Sequence, residues 1–231
     1  MEILWFEQGS RNVPCGDDWL SERELAVFKK LRISKRRDDW RLGRWTAKRA
    51  VASALCMSHD LASLRRIVIG VAATGEPEVE IAGWDERVTI SISHRQGLSA
   101  CAVASGVVAL GCDLESVEPK TASFVDDYFT PAEQDWIAQA PASAVALSAS
   151  LLWSAKESAL KALHVGLRAD TRSVEVDTAC LHATVHKDIE WHALAVRSEG
   201  GDRFCGWWCC SQEVVRTVVS NPPPFRMIWI E

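Results

Sequence analysis

The sequence predicts an α+β fold made of two similar halves, because two features of its first part recur in its second part. The segment 44–55 aligns without a gap on the segment 152–163, with identical Trp, Ala, Lys, Ala and Leu residues and a Thr facing a Ser. Upstream, segments 21–24 (Ser-x-x-Glu) and 130–133 (Thr-x-x-Glu) both have the capping-box pattern that starts a helix. The offsets of 108 and 109 residues are nearly equal, which indicates an internal duplication. Alanine-rich helices also resemble one another by chance, and coincidence is the alternative.

A loop followed by a strand is predicted in the middle of the first half. The stretch Gly70 to Gly83 is rich in Gly, Pro and Glu, which is typical of a loop. Residues 88–93 then alternate apolar and polar side chains, as expected of a half-buried strand that ends at His94. A histidine at a strand end is well placed to reach a ligand, although a lone histidine is more often structural.

Two carboxylates follow an apolar run at the start of the second half. The run from Val107 to Leu110 is too short and too β-branched to begin a helix, so it predicts a strand. Asp113 and Glu115 are two residues apart near the polar end of that strand, and both side chains therefore point to one face.

A third carboxylate lies on the helix predicted over residues 153–161. Trp153, Glu157 and Lys161 recur every four residues and form one stripe, with Lys156 beside it. The simpler interpretation is a surface Glu–Lys pair on the helix and two acids in a turn, because such pairs are common and weakly stabilising.

Taken together, the acids and lysines have the chemistry of a metal and phosphate site. Asp113, Glu115 and Glu157 offer the carboxylate oxygens that Mg²⁺ prefers. Lysines beside such a site act as point charges on phosphate oxygens, which is the chemistry of phosphoryl transfer.

Charge is unevenly distributed along the 231 residues. The net charge of −5 combines +2 over residues 1–105 with −7 over residues 106–231. Between Lys29 and Arg49 there are ten basic residues and two acidic ones. A solvated helical face explains such a run, and a ligand with several phosphates is the alternative. The sequence pI of about 5.7 and the lack of a recognisable module argue against nucleic-acid binding.

Composition favours a cytoplasmic enzyme. The chain is 48% hydrophobic, enough for a sizeable core. The first residues lack the basic and apolar regions of a signal peptide, and no stretch approaches membrane-spanning length. The eight cysteines have no metal-ligand spacing, and Cys205, Cys209 and Cys210 lie among tryptophans in a predicted buried strand. We expect reduced core thiols.

Several ordered blocks resemble the signatures of the Sfp-type 4'-phosphopantetheinyl transferase family. The strongest blocks are Gly111-x-Asp113-x-Glu115, Trp153-Ser154-x-Lys156-Glu157-x-x-x-Lys161 and Ser91-x-Ser93-His94. Weaker blocks occur in the expected order, namely Gly75-x-Pro77, Phe129-Thr130-x-x-Glu133 and Gly166-Leu167. These enzymes transfer phosphopantetheine from coenzyme A to a serine of an acyl or peptidyl carrier protein.

The resemblance implies the fold and the part of coenzyme A that each half would bind. The family has two pseudo-symmetric α/β halves, so each half is expected to be a small, mainly antiparallel sheet with a long helix. Residues 1–105 would be the coenzyme A 3'-phosphate side, and residues 106–231 the metal and pyrophosphate side. Coenzyme A would lie between them as a substrate, with Mg²⁺ as cofactor and a carrier protein domain as partner. No nucleic acid or membrane is expected as a partner.

The resemblance also assigns roles to individual residues. The expected metal ligands are Asp113, Glu115 and Glu157. The expected catalytic residues are Glu157 as general base, Lys161 on the leaving phosphate, and His94 as a phosphate contact. The expected coenzyme A contacts are Arg44, Lys48, Gly75, Glu76, Pro77, Ser93, His94, Lys156 and Lys161. For Lys48, a buried pair with a core carboxylate is an equal alternative.

Two departures from the family pattern affect these expectations. Glu76 stands where the family usually has a lysine, which puts one nucleotide contact in doubt. The apolar region around Phe124, Tyr128 and Phe129 resembles the carrier-binding region, but Asp126 and Asp127 stand where basic character is more usual. These two aspartates either narrow the range of carriers or form a solvated cap before Thr130, and the cap is the favoured interpretation. Two rival functions also remain: a magnesium-dependent hydrolase of coenzyme A or a related nucleotide diphosphate, and a non-catalytic coenzyme A-binding relative.

Overall fold

The computed structural model describes residues 1–181 and 190–230 and has the predicted α+β fold. The chain forms two compact units, one comprising residues 1–108 with 225–231 and the other residues 109–224. The halves predicted from the sequence were residues 1–105 and 106–231. In the structure, the strand near the end of the chain belongs instead to the first unit. Among the helices in the described part, none has the length and apolar character that crossing a membrane requires.

The first unit contains a mixed four-stranded sheet and a two-stranded hairpin. Its elements are the strands β1 (Glu2–Gly9), β2 (Ile67–Val71), β3 (Pro77–Ile81), β4 (Val88–Arg95) and β5 (Leu98–Ser105), the helices α1 (Glu22–Phe28), α2 (Ser34–Ala54) and α3 (Leu61–Arg66), and a strand at the end of the chain. The strand at the end of the chain is β11 (Arg226–Ile230). The strands of the four-stranded sheet lie in the order β11-β1-β5-β4. Only the β1–β11 pairing in this sheet is parallel.

The second unit contains a five-stranded antiparallel sheet. Its elements are the strands β6 (Ala109–Ser116), β7 (Val174–Val176), β8 (His192–Ser198), β9 (Arg203–Ser211) and β10 (Val214–Asn221) and the helices α4 (Ala122–Tyr128), α5 (Pro131–Gln139) and α6 (Val145–Ala162). The strand order is β6-β10-β9-β8-β7. Helix α6 packs on β6 and β10, and apolar residues from the helix and the sheet form the core.

Local sequence rules account for most of these elements. Both capping boxes are confirmed, since Ser21 begins α1 and Thr130 begins α5, each with the reciprocal N3 glutamate bond. The strand predicted at 88–93 is β4. The predicted loop from Gly70 to Gly83 is confirmed only in part, because residues 70–71 belong to β2 and residues 77–81 form β3, while residues 72–76 and 82–83 are irregular. The cysteines are free thiols, as expected, and three of them lie in β9, but Cys15, Cys56 and Cys180 are exposed and do not belong to the core.

The same buried ion pair connects the long helix to the capping box in each unit. In the first unit, Lys48 Nζ lies 2.6 Å from Glu24 Oε2, and in the second, Lys156 Nζ lies 2.8 Å from Glu133 Oε2. Both lysine side chains are 0% exposed. Each glutamate accepts the N-cap N–H and a backbone N–H at a strand, Ile69 or Val176.

The remaining ammonium hydrogens bond backbone carbonyls. Lys48 donates to the carbonyls of Trp19 and Leu64, and Lys156 donates to those of Thr171 and Val174. Burial lowers the pKa of each lysine, while its glutamate opposes that effect. Both side chains are enclosed in the core and saturated with protein acceptors. The buried pair that was the equal alternative for Lys48 is confirmed, and the roles of Lys48 and Lys156 as phosphate contacts are corrected.

We predict that Lys156→Met destabilises the protein by about 3–5 kcal/mol, because it leaves the Glu133 carboxylate buried without its cation. Equilibrium urea unfolding would measure the change. Arg23→Gln is the control, since it breaks an ion pair whose side chains are 68% and 52% exposed, which is worth about 0–1 kcal/mol. Equal, small effects of the two substitutions would contradict a structural role for the buried pair.

Candidate active site

A close contact between β6 and α6 brings the predicted acids and lysine together. Gly111, Asp113 and Glu115 share one face of β6. A Cβ atom on Gly111 would lie 1.8 Å from the backbone oxygen of Ser158 on α6. Only glycine therefore permits the helix to approach this part of the strand, and the approach places the following acid beside the helix.

Hydroxyl groups fix α6 over the sheet at the same level. Ser154 and Ser158 lie 2.9 and 2.7 Å from the Thr217 hydroxyl on β10, and Thr217 is opposite Asp113 in the strand register. The serine of the Trp-Ser-x-Lys-Glu block is thus buried and structural. Its hydrogen bond holds the helix at the position from which Glu157 and Lys161 reach the strand.

Asp113 and Lys161 form the central ion pair of the site. Lys161 Nζ lies 2.8 Å from Asp113 Oδ1 and also donates to the Cys112 carbonyl at 3.0 Å. The Asp113 side chain is 3% exposed, whereas that of Lys161 is 28% exposed. Burial alone would lower the pKa of Lys161, but Asp113 and Glu157 outweigh it and raise that pKa, so the ammonium stays charged.

Glu157 lies one helical turn after Trp153 and one turn before Lys161 on α6. Its Oε2 is 4.0 Å from Lys161 Nζ. Burial and the negative charges of Asp113 and Glu115 raise the pKa of Glu157 to about 7, against the opposing effect of Lys161. Glu157 can therefore exchange a proton near neutral pH.

The carboxylates fit a divalent cation in donor type and charge. All three offer hard oxygen ligands, and the repulsion that Asp113 and Glu115 exert on Glu157 is the kind that a bound cation relieves. Lys120 lies 3.9 Å from Glu115 and Lys161 contacts Asp113, so ammonium groups already neutralise part of this charge. Within residues 1–181 and 190–230, no three histidine, cysteine or acidic side chains form a ready metal cluster. The assignment of Asp113, Glu115 and Glu157 as metal ligands stays a prediction.

His94 lines a cavity of the first unit together with residues of α2, the helix that contains much of the basic run 29–49. The cavity has a volume of about 310 Å³, and its walls are formed by Ile33, Lys35, Arg36, Asp39, Trp40 and His94. Lys35, Arg36 and His94 are exposed, and Trp40 is half-buried. Three basic side chains and one indole ring are suitable for a phosphate next to an aromatic base. A second cavity, of about 540 Å³, shares Lys35 and Asp39.

The other residues of the first unit that were predicted to contact coenzyme A are either less accessible or form the turn and the start of a strand. Ser93 is 6% exposed, in contrast to the neighbouring His94. Gly75 has φ +106°, a left-handed conformation that the turn between β2 and β3 needs, and Glu76 accepts a hydrogen bond from the Thr74 hydroxyl. Pro77 begins β3.

Arginines of the basic run stack on aromatic rings. The guanidinium of Arg44 lies 5.0 Å from the centre of the Trp40 ring, and that of Arg37 lies 4.1 Å from Phe28. Burial lowers the pKa of Arg44, and its Nε is buried without an acceptor among the described residues. Trp40 was not among the predicted site residues, although a tryptophan inside a basic run, four residues before Arg44, was a usable signal.

Part of the second unit is similar to a known protein family. Residues 109–205 match the family model of the 4'-phosphopantetheinyl transferase superfamily. The matched segment contains the Gly111–Glu115 block, the Glu157 helix and Lys161. The resemblance is thereby confirmed at the level of the superfamily, while the narrower Sfp type stays a prediction. A search of curated protein sequences found no match.

Solved structures of holo-(acyl-carrier-protein) synthases align with part of the chain. The enzyme from Neisseria meningitidis is 22% identical, with 46% of this chain and 97% of that chain covered and a TM-score of 0.39. The enzyme from Bacillus anthracis, solved with CoA (3',5'-ADP), is 24% identical, with coverages of 45% and 93% and a TM-score of 0.39. The Helicobacter pylori enzyme, solved with coenzyme A, is 17% identical, with coverages of 45% and 99% and a TM-score of 0.37.

We predict that Glu157→Gln removes a pH-dependent loss of stability. The folded pKa of about 7 exceeds the ordinary value of 4.5, so the wild-type protein should lose stability as pH rises from about 4.5 to about 7. The loss is at most about 3 kcal/mol, at 1.36 kcal/mol per pKa unit. Urea unfolding at pH 5 and pH 8 should show Glu157→Gln gaining on the wild type at the higher pH. Glu80→Gln, which removes an exposed carboxylate, is the control, and an equal pH trend in both variants would contradict the prediction.

Proposed function

We propose that this protein transfers the 4'-phosphopantetheine group of coenzyme A to a serine hydroxyl of an acyl or peptidyl carrier protein. The observation that carries the proposal is the Asp113–Lys161–Glu157 arrangement inside the segment that matches the transferase superfamily. A carboxylate that titrates near pH 7 beside a fixed ammonium suits the deprotonation of a hydroxyl next to a phosphate.

In the proposed reaction, the carrier serine oxygen bonds to the β-phosphorus of coenzyme A. The bond from that phosphorus to the bridging oxygen breaks, and 3',5'-ADP leaves with the electron pair. Glu157 accepts the serine proton, directly or through water. Lys161, held by Asp113, neutralises charge on the phosphate oxygens. A bound Mg²⁺ would supply further neutralisation of pyrophosphate charge, with Asp113, Glu115 and Glu157 as its proposed ligands.

For the nucleotide end of coenzyme A, we propose the cavity beside His94. Lys35, Arg36 and His94 would bind the 3'-phosphate, and the Trp40 ring would stack on the adenine. This assignment keeps the predicted role of His94. It also transfers the role predicted for Lys48 to basic residues that are exposed.

We propose a cytoplasmic location for the protein, where coenzyme A and carrier proteins are available.

The carrier would approach near α4, whose aromatic residues Phe124 and Tyr128 lie against Trp153. Asp126 and Asp127 are exposed on the same helix. The carrier that this surface accepts would therefore carry less negative charge than is usual where it meets α4.

We predict a carrier that is heavier by one phosphopantetheine when the protein is incubated with coenzyme A, Mg²⁺ and an apo carrier protein. Intact-mass spectrometry distinguishes the alternatives, since free phosphopantetheine would indicate a hydrolase and unchanged reactants a binding protein. Glu157→Ala and Asp113→Ala should each lower the transfer rate about 10²–10⁴-fold while coenzyme A still binds. Full activity in either variant would exclude the assigned roles, and Glu80→Gln serves as the surface control.

We predict that the Lys35→Ala/Arg36→Ala double variant selectively weakens binding of the 3'-phosphate. Its KM for coenzyme A should rise about tenfold or more, because charge-assisted hydrogen bonds are lost. Its KM for dephospho-coenzyme A, which lacks that phosphate, should stay unchanged. Lys30→Ala removes an exposed charge from the same basic run outside the cavity and is the matched control. An equal loss with both substrates would contradict the 3'-phosphate assignment.

A further inference from the structure

Thr217 on β10 is a buried hydroxyl residue beside the proposed site, and no step of the proposed reaction uses it. Its hydroxyl donates to the Ser154 carbonyl at 3.0 Å and lies 2.9 and 2.7 Å from the Ser154 and Ser158 hydroxyls. The Ser158 hydroxyl also lies 3.3 Å from the Thr217 carbonyl, to which it can donate. One strand residue therefore contacts two successive turns of α6 through polar groups.

Two further contacts with α6 fix the strand that carries the acids at both of its ends. The hydroxyl of Ser150, one helical turn before Ser154, donates to the carbonyl of Ser116 at the end of β6, at 3.2 Å. Near the start of β6, the α carbon of Gly111 lies against the helix backbone. Asp113 and Glu115 are the residues between these two fixed points, so the helix contacts determine where the acids lie along α6.

The duplicated helix of the first unit provides an internal comparison. Thr46 corresponds to Ser154 and is equally buried, but its hydroxyl donates to the Leu42 carbonyl of its own helix at 2.8 Å. Ala50 corresponds to Ser158 and has no hydroxyl. Among the described residues, these two positions of α2 thus make no hydroxyl contact with a strand. The helix-to-strand hydroxyl contacts belong to the copy that carries the acids and are not needed for the shared fold.

We propose that Thr217 is a positioning residue, which sets the register of α6 against β6 and thereby holds Glu157 and Lys161 at their distances from Asp113. Apolar contacts are not directional and permit small sliding movements of a helix on a sheet. Hydrogen bonds are directional, and a buried hydroxyl without a partner costs free energy, so a displaced helix is disfavoured. The hydroxyl contacts are a property of the fold alone, whereas their kinetic consequence rests on the proposed transfer reaction.

The hydroxyl contacts can be tested without any activity. Thr217→Val and Ser158→Ala should each lower the midpoint of urea unfolding, and the double variant should lose less than the sum of the two, because both substitutions remove the same contact. Thr46→Val with Ser158→Ala is the control pair, and its effects should add because the two residues lie in different units and share no partner. Additive effects of Thr217→Val and Ser158→Ala would overturn the proposal.

Kinetics test the positioning role. Thr217→Val keeps the side-chain shape and removes the hydroxyl, so kcat for carrier loading should fall about 10–100-fold, as expected when reacting groups are misplaced by a fraction of an ångström to 1 Å. KM for coenzyme A should stay nearly unchanged, because the proposed nucleotide cavity lies in the first unit. Thr217→Ser restores the hydroxyl and should restore kcat.

Thr46→Val is the matched control, since it removes an equally buried hydroxyl from the duplicated helix and should retain kcat. Ser154→Ala removes one partner of Thr217 and should lower kcat by a smaller factor, which decides the case if Thr217→Val does not fold. Unchanged kcat in Thr217→Val, or an equal loss in Thr46→Val, would overturn the positioning role. A wild-type protein that transfers nothing would refute the proposed function instead, and the unfolding measurements would still decide whether Thr217 and Ser158 are coupled.

Discussion

The buried pair between Lys156 and Glu133 is the constraint on which the geometry of the second unit depends. One carboxylate accepts the N-cap amide of α5, an amide of β7 and the lysine ammonium of α6, so a single group joins three elements. Burying two charges costs several kcal/mol of solvation for each ion, and the pair is tolerable because carbonyl groups satisfy the rest of the ammonium. The first unit repeats the arrangement with Lys48 and Glu24.

The anchored helix, α6 in the second unit and α2 in the first, explains how two units of the same architecture have different surfaces. Because Lys156 anchors α6 in the core, the next residue, Glu157, lies toward the strand that carries Asp113. In the first unit the same anchor leaves Arg49 at the corresponding position, where it bonds neutral side chains and stacks on Phe6. The second unit has Glu157 at the position where the first unit has Arg49. This single difference in charge gives one unit an acidic site and the other a cationic surface, while both keep the same core.

Features governed by short-range rules were predictable from the sequence, and features governed by long-range contacts were not. The capping boxes, the strand β4 and the common face of Asp113 and Glu115 follow from local spacing. The Ser-x-x-Glu and Thr-x-x-Glu patterns predicted the helix starts, but they do not reveal that the same glutamates also accept a lysine from a distant helix. The phosphate role predicted for Lys156 was wrong for this reason, whereas the sequence had left a buried ion pair as an equal alternative for Lys48, and the structure confirms that alternative. Trp40 was missed because its cavity is formed by a helix and a strand far apart in sequence.

The pairing of β1 with β11 has a consequence for the order of folding. Arg226 and Glu2 lie opposite each other across 224 residues of chain, whereas the second unit is built from the continuous stretch 109–224. Closing so long a loop costs conformational entropy before its contacts compensate, and distant pairings of this kind form slowly. Among the strands of the four-stranded sheet, β11 is also the last to be synthesised. The second unit therefore can form before the first sheet acquires its fourth strand, and until then the edge of β1 is open to pairing with other chains.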